Sequence, residues 1–234
     1  MSPANAQRMT QRLGCQYISG YGLTETSPLL TVGTIKDTLA SVDDAAKMSY
    51  RTRTGLEVVG VDLRVVGKDG KDVPWDGQTT GEIVARGDNV MKGYWKLPQE
   101  TSAEIREGYF YSGDLATVDA EGYVLIVDRA KDILLSGGEN IASVEIENVL
   151  YTHPQVLDCA VVAFADEKWG EVPRALIVRR PGTELSEEAL LDYCRERLAR
   201  FKVPRKVTFL SELPKTGSGK ILKGELRKTY GKPD

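Results

Sequence analysis

Histidine is almost missing from this sequence: His153 stands alone, and the three cysteines, Cys15, Cys159 and Cys194, are widely separated and odd in number. With no CxxC pair and no second histidine, neither a zinc site nor a disulfide framework of the kind that staples small secreted domains is expected. Reduced thiols suit a cytosolic protein. His153 sits beside Pro154 where a helix should end, which fits capping or packing better than metal ligation. Long apolar runs are lacking too, and none approaches the roughly 18–20 residues of a membrane-spanning helix. Met1–Gly14 has no apolar core like that of a signal peptide, so a cytoplasmic protein without a transmembrane segment is expected. Charge of one sign is also in short supply. The 31 Lys and Arg against 34 Asp and Glu leave a net charge of −3, too near balance for nucleic acid to be a main partner.

What is present is the composition of a folded chain: 41% apolar and 28% charged residues, in a length that allows one large or two small cores. Gln7–Leu13 reads as a short helix leading into a strand at Cys15–Ser19, and Ser41–Arg53 as a loop or short helix. From Val58 the pattern turns to β. Val59, Val61, Leu63 and Val65 alternate, and Lys68-Asp69-Gly70 supplies a turn. Further strands are expected at Gly81–Ala85, Tyr109–Tyr111 and Tyr123–Val127, together a compact, barrel-like β-subdomain. Near Asp128 the character changes. Helices at Ser143–Tyr151, after the N-cap Ser186, and at Leu222–Tyr230 alternate with strands at Cys159–Phe164, Ala175–Val178 and Val207–Leu210. The expected fold class is therefore mixed α/β and α+β in two lobes, 1–128 β-rich and 129–234 a small α+β domain.

Several short motifs carry polar groups, and each has an ordinary reading beside a chemical one. Gly20-Tyr21-Gly22-Leu23-Thr24-Glu25 is a glycine turn, or a backbone that approaches a phosphate closely with a hydroxyl and a carboxylate next door. Asp114, in Tyr111-Ser-Gly-Asp114, is either a turn aspartate at a strand end or an acceptor for the two hydroxyls of a ribose. Asp128-Arg129-Ala-Lys131-Asp132 is a charged turn on its own terms, and Ser136-Gly137-Gly138-Glu-Asn is a loop whose glycines let something pass close. Basic residues crowd the tail, among them Lys202, Arg205, Lys206, Lys215, Lys220 and Lys223; a solvated face and a phosphate site are both open readings. Pro214-Lys-Thr-Gly-Ser-Gly-Lys220 is not a Walker loop, because Pro214 and Ile221 stand where that motif needs Gly and Ser or Thr. It reads as a flexible loop that delivers the Lys220 ammonium.

Taken in order, YGLTETSP, GEIVARGDNVMKGYWKLPQET, YSGDLATVDAEGYVLIVDRAKDILLSGGENIASVEIENVL and PKTGSGKILKGELR resemble the C-terminal signature motifs of acyl-CoA synthetases of the adenylate-forming (AMP-binding) superfamily, fatty-acid or medium-chain ligases in flavour. That superfamily also holds aryl-CoA ligases and peptide-synthetase adenylation domains. The resemblance implies that 1–128 is the C-terminal portion of a large AMP-binding domain and 129–234 its mobile C-terminal domain, with a hinge at Lys131. It implies that Gly20, Tyr21, Gly22, Thr24, Asp114 and Arg129 bind the nucleotide, Thr24 at the phosphate and Asp114 at the ribose. Glu25 would approach Mg²⁺, and Lys220 would bridge carboxylate and phosphate oxygens during adenylation, making Lys220, Thr24 and Glu25 the catalytic group. Ser136, Gly137, Gly138 and Trp169 would border coenzyme A, although Trp169 equally suits plain packing. The implied ligands are ATP or AMP, Mg²⁺, coenzyme A and a small carboxylic acid, and the resemblance also allows a homodimer. One expected segment, the Ser/Thr/Gly-rich phosphate-gripping loop, does not occur in the sequence, so this chain alone is expected to be inactive. The rival readings are an adenylation domain that loads a carrier protein and a non-catalytic remnant acting as a binding module.

Overall fold

A computed structural model describes residues 3–217 and 219–232, so Ser218 of the glycine-rich tail loop lies outside the described residues. The chain divides into two units, the first closing at Ala130 and the second opening at Lys131. Among the described residues no helix is long and apolar enough to cross a membrane.

The first unit begins with helix α1 (Pro3–Leu13), followed by β1 (Gly20–Tyr21), β2 (Thr31–Val32), α2 (Asp44–Thr52) and β3 (Leu56–Glu57). The carboxylate of Asp43 accepts from the Ala46 N–H at 2.7 Å and caps α2, so the polar 41–53 stretch resolves to a helix. The strand expected at Cys15–Ser19 does not form. The neighbour there is the end of α2, where the Arg51 carbonyl accepts from the Ser19 N–H, and regular pairing starts only at Gly20 against Val32.

A half-barrel follows, made of β4 (Val61–Val66), β5 (Gly81–Gly87), the short helix α3 (Pro98–Glu104), β6 (Ile105–Arg106), β7 (Tyr109–Val118) and β8 (Val124–Arg129). Its strands are antiparallel, in the order β4-β5-β7 with β6 and β8 both on β7. Val65, Val73, Ile83, Ala116, Val118 and Val124 form its core. Each of the valine and isoleucine side chains contributes roughly 1.5–3 kcal/mol when taken fully out of water. The alternation expected from Val59 starts two residues later, because Val59 lies fully exposed in the turn that leads to Val61.

Strand β7 also corrects an expectation. It does not stop at Tyr111 but runs to Val118 through a bulge, so Asp114 lies inside the strand. Glu82 faces Leu115 and Val84 faces Tyr111, which leaves Ser112, Gly113 and Asp114 opposite Ile83 alone. Gly113 absorbs the distortion at φ +71°, a conformation that a residue with a Cβ adopts at a cost.

The second unit contains β9 (Leu134–Ser136), β10 (Glu139–Ile141), α4 (Ser143–Tyr151), β11 (Val156–Asp166), β12 (Gly170–Arg179), α5 (Glu187–Arg195), β13 (Lys206–Leu210) and α6 (Lys223–Tyr230). The strands form one sheet in which β11 and β12 make a long hairpin, β13 joins β12 in parallel and β9 meets β12 at Ser136–Gly170. Both faces of this sheet are covered. Cys159, Val161, Ala175 and Ile177 meet Ile146 and Leu150 of α4 and Leu190 and Cys194 of α5. Ala160, Val162, Leu176 and Val178 meet Leu226 of α6 on the other side. Double coverage explains why 159–164 reads as an unbroken apolar run rather than an alternation. The Ser186 hydroxyl caps α5 by accepting from the Ala189 N–H at 3.1 Å. His153 stands edge-on to Tyr193, ring centres 4.7 Å apart, and its Nδ1 accepts from the Gln155 N–H.

Candidate functional site

In the first unit the chain reverses tightly at the glycine motif. A Cβ on Gly22 would lie 1.6 Å from the Pro28 carbonyl oxygen, so only glycine fits where the loop folds back on itself. The Leu30 N–H donates to the Tyr21 carbonyl at 2.8 Å and closes the reversal. Thr24–Thr26 form a single tight helical turn. Buried Thr26 ties that turn together by donating to the Leu23 and Pro28 carbonyls and accepting from the Leu23 N–H. Thr24, by contrast, is exposed.

Residues that sequence reasoning did not single out hold this loop. The Asn89 amide donates to the carbonyls of Thr26 at 2.8 Å and Leu29 at 2.9 Å. The Met91 N–H donates to the Glu25 carbonyl at 2.7 Å, and the Tyr94 hydroxyl donates to Glu25 Oε1 at 2.9 Å. Burial, then the Glu25 carboxylate, pushes the Tyr94 hydroxyl up to about 12, so it stays a proton donor. The only signal available was that Asn89 and Tyr94 lie within one of the quoted motifs.

Tyr21 connects the loop to the half-barrel. Its hydroxyl donates to Asp114 Oδ2 at 2.7 Å, and Arg129 Nε lies 3.2 Å from Asp114 Oδ1. Asp114 and Arg129 are direct cross-strand partners on β7 and β8, which is what brings them together. The Asp114 side chain is only 7% exposed, so its carboxylate is buried with the Tyr21 hydroxyl on one oxygen and the Arg129 guanidinium beside the other. Burial raises the Tyr21 pKa well above the ordinary phenol value, and the Asp114 charge raises it further. A carboxylate oxygen can accept more than one hydrogen bond, so Asp114 retains capacity for two neighbouring hydroxyls. Among the described residues no three His, Cys, Asp or Glu side chains gather into a metal-binding cluster.

The remaining candidates belong to the second unit. Gly137 and Gly138 turn between β9 and β10 with φ of +59° and +90°. The Gly137 N–H donates to the Trp169 carbonyl at 2.9 Å, and a Cβ on Gly137 would lie 2.7 Å from the Trp169 ring. Ser136, Gly137 and Trp169 are therefore brought together, lining a cleft of about 480 Å³ with Glu139, Arg200, Phe201 and Arg205. Gly138 forms the turn and does not line it. Arg200 and Phe201 were not foreseen, because they follow Trp169 by some thirty residues and meet it only through the folding of the sheet. Lys131 is exposed in the one-turn helix Ala130–Asp132, where its carbonyl accepts from the Arg227 guanidinium. Lys220 is exposed on the loop between β13 and α6.

Residues 1–95 match the family described as "AMP-binding enzyme", and residues 145–220 match "AMP-binding enzyme C-terminal domain". A feruloyl-CoA synthase of an Amycolatopsis species is 45% identical over 218 residues, which are 93% of this chain and 42% of that protein. The peroxisomal benzoate–CoA ligase of Arabidopsis thaliana is 42% identical, over 96% of this chain and 41% of its own length. Among solved structures, ATP-bound MatB from Rhodopseudomonas palustris superimposes with a TM-score of 0.85 at 33% identity, covering 98% of this chain and 43% of that one. The o-succinylbenzoate CoA synthetase of Bacillus subtilis, solved with its acyl-adenylate intermediate, gives 0.83 at 32% identity, covering 96% of this chain and 43% of that one. The chain thus spans about two fifths of the length of the curated relatives it matches.

Proposed function

Because the chain belongs to the AMP-binding enzyme family, we propose that it is the part of an ATP-dependent acid–thiol ligase that binds the adenylate and carries the adenylation lysine. The product is an acyl-CoA, formed through an acyl-adenylate, from a small carboxylic acid, ATP and coenzyme A. Residues 1–128 are the C-terminal portion of the AMP-binding domain, and 129–234 are a C-terminal domain that turns about Lys131 between two half-reactions. The observation that carries this reading is the buried Asp114, flanked by the Tyr21 hydroxyl and the Arg129 guanidinium, beside a loop that presents Thr24 and Glu25.

Chemistry explains each group. Asp114 accepts the two ribose hydroxyls, and Tyr21 and Arg129 keep the carboxylate oriented. The Gly20–Gly22 backbone gives the nucleotide a close approach, and Thr24 donates its hydroxyl to a phosphate oxygen. Glu25, held by Tyr94, would offer a carboxylate oxygen to Mg²⁺. When bound, that ion supplies charge neutralisation on the phosphates. Lys220 places an ammonium between the attacking carboxylate and the phosphate, two anions that otherwise repel. A preorganised charge of this kind is worth roughly 3–4 kcal/mol in the transition state. The cleft at Ser136, Gly137 and Trp169 takes coenzyme A, with Arg200 and Arg205 for its phosphates and the Trp169 and Phe201 rings for its planar base.

The test is made on the complete gene product. Lys220→Ala should slow acid-dependent exchange of pyrophosphate into ATP by two orders of magnitude or more, about 3 kcal/mol. A pre-made acyl-adenylate should still react with coenzyme A at nearly the parent rate. Lys131→Pro should show the opposite pattern, because proline restrains the φ of the residue that has to turn. Equal damage to both half-reactions by Lys220→Ala would overturn the reading.

A further inference from the structure

The loop that presents Lys220 is gripped at both feet. At its start, Lys215 Nζ lies 2.6 Å from Asp158 Oδ2 on β11, and the Tyr151 hydroxyl of α4 donates to the other oxygen of the same carboxylate. At its end, Lys223 Nζ lies 2.7 Å from Glu147 Oε1 on α4 and donates to the Ser143 hydroxyl. Glu147 Oε1 also accepts from the Val161 N–H at 2.7 Å, so the carboxylate is itself fixed to β11. The Lys223 and Glu147 side chains are only 16% and 12% exposed, a setting in which an ion pair is costly to break. Between the feet, Lys215 pairs with Ile221 and the Leu222 N–H donates to the Pro214 carbonyl at 2.9 Å. The Lys220 N–H donates to the Thr216 hydroxyl, and the Thr216 N–H donates to the Lys220 carbonyl. Leu213 is buried in the same apolar cluster as Leu226, and partly buried Ile221 packs against it. The backbone at Lys220 is therefore held, while its side chain is left in solvent.

We propose that Glu147 and Asp158 are positioning residues for Lys220. Through Lys223 and Lys215 they fix both ends of the loop, so the ammonium searches a small volume instead of the sweep of a free loop. The Glu147 and Asp158 side chains are only 12% and 16% exposed and reach the loop through its two flanking lysines, so their effect passes through the backbone. This rests on the reading that Lys220 acts in acyl-adenylate formation.

Two measurements test it. On this chain, Glu147→Gln and Lys215→Met are compared with the parent by amide hydrogen exchange. Lys215→Met alters a side chain that is 45% exposed, so the fold is kept. Exchange at the Lys220 and Leu222 amides should rise about tenfold, the equivalent of one lost charge-assisted hydrogen bond, while amides of the β11–β12 hairpin stay protected. Unchanged exchange at both amides overturns the proposal. In the complete gene product, both variants should slow pyrophosphate exchange about tenfold with KM for ATP little altered, and leave the thioester-forming step alone. A merely structural role would slow both steps together, and that result also overturns the proposal. Lys220→Ala separates the two ideas. If it leaves pyrophosphate exchange at the parent rate, the role given to Lys220 fails; if it abolishes exchange while Glu147→Gln and Lys215→Met do not slow it, only the positioning role fails.

Discussion

The sharpest perturbation available is the smallest one, Gly22→Ala. Gly22 has an ordinary φ, so the effect of a methyl group there is steric and carries no backbone strain. The new Cβ would lie 1.6 Å from the Pro28 carbonyl oxygen, 2.6 Å from its carbon and 2.9 Å from Leu29 Cα. An ordinary contact of 3.4 Å or more requires the two segments to part by about 1.8 Å. All three obstacles are backbone atoms, so no side chain can swing aside. Parting the segments breaks the Leu30–Tyr21 hydrogen bond and displaces the carbonyls that accept from Thr26 and Asn89. Each of these bonds contributes about 1 kcal/mol. Leu30, fully buried, loses part of its contacts as well. The sum is a loss of about 3–5 kcal/mol, a large part of the roughly 5–15 kcal/mol that holds an ordinary domain together. Urea unfolding of this chain measures it, with hydrogen exchange at the Leu30 and Met91 amides assigning the loss to the loop. The control is Gly224→Ala, at a helical glycine whose Cβ would meet nothing within 4 Å. It should be neutral or gain up to about 1 kcal/mol. A loss below about 1 kcal/mol for Gly22→Ala would refute the steric argument, because it would mean that the Pro28 carbonyl moves freely.

Two further outcomes follow from titratable groups in the second unit. Burial, then the nearby Arg197 guanidinium, holds His153 below its ordinary value of 6.5, so the unfolded chain takes up a proton before the folded one does. Stability should be full above that value and fall as the pH drops through it, read as a lower urea midpoint at pH about 5.5 than at about 7.5; His153→Asn should flatten the slope, and an unchanged slope would refute the assignment. Burial pushes the Cys194 thiol up to about 11 and the Cys159 thiol higher, with Glu147 adding to the latter, whereas Cys15 is exposed. Iodoacetamide at pH about 8 should label the folded chain once, at Cys15, and a second adduct without denaturant would contradict the burial.

Much was legible in the sequence because it depends on near neighbours. Ser186 announced the start of α5, since a hydroxyl reaches an N–H three residues on. The apolar run at 159–164 announced a strand, and the order of four motifs announced the family. Other features depend on which strand lies beside which, and no local pattern encodes that. Asp114 stands inside a strand because three residues of β7 face one residue of β5, and it meets Arg129 because of the β7–β8 register. Tyr94 reaches Glu25 across 69 positions, and Asn89 clamps a loop more than 60 positions away. Gly22 read as part of a glycine turn or of a backbone approaching a phosphate; only the folded chain shows it as a place where two backbones touch. Motif and propensity act over a turn or two, so residue order alone establishes which side chains are available and in what succession. Which carboxylate holds which lysine, and which ring stands beside which glycine, follows from sheet register and chain reversal and emerges only on folding.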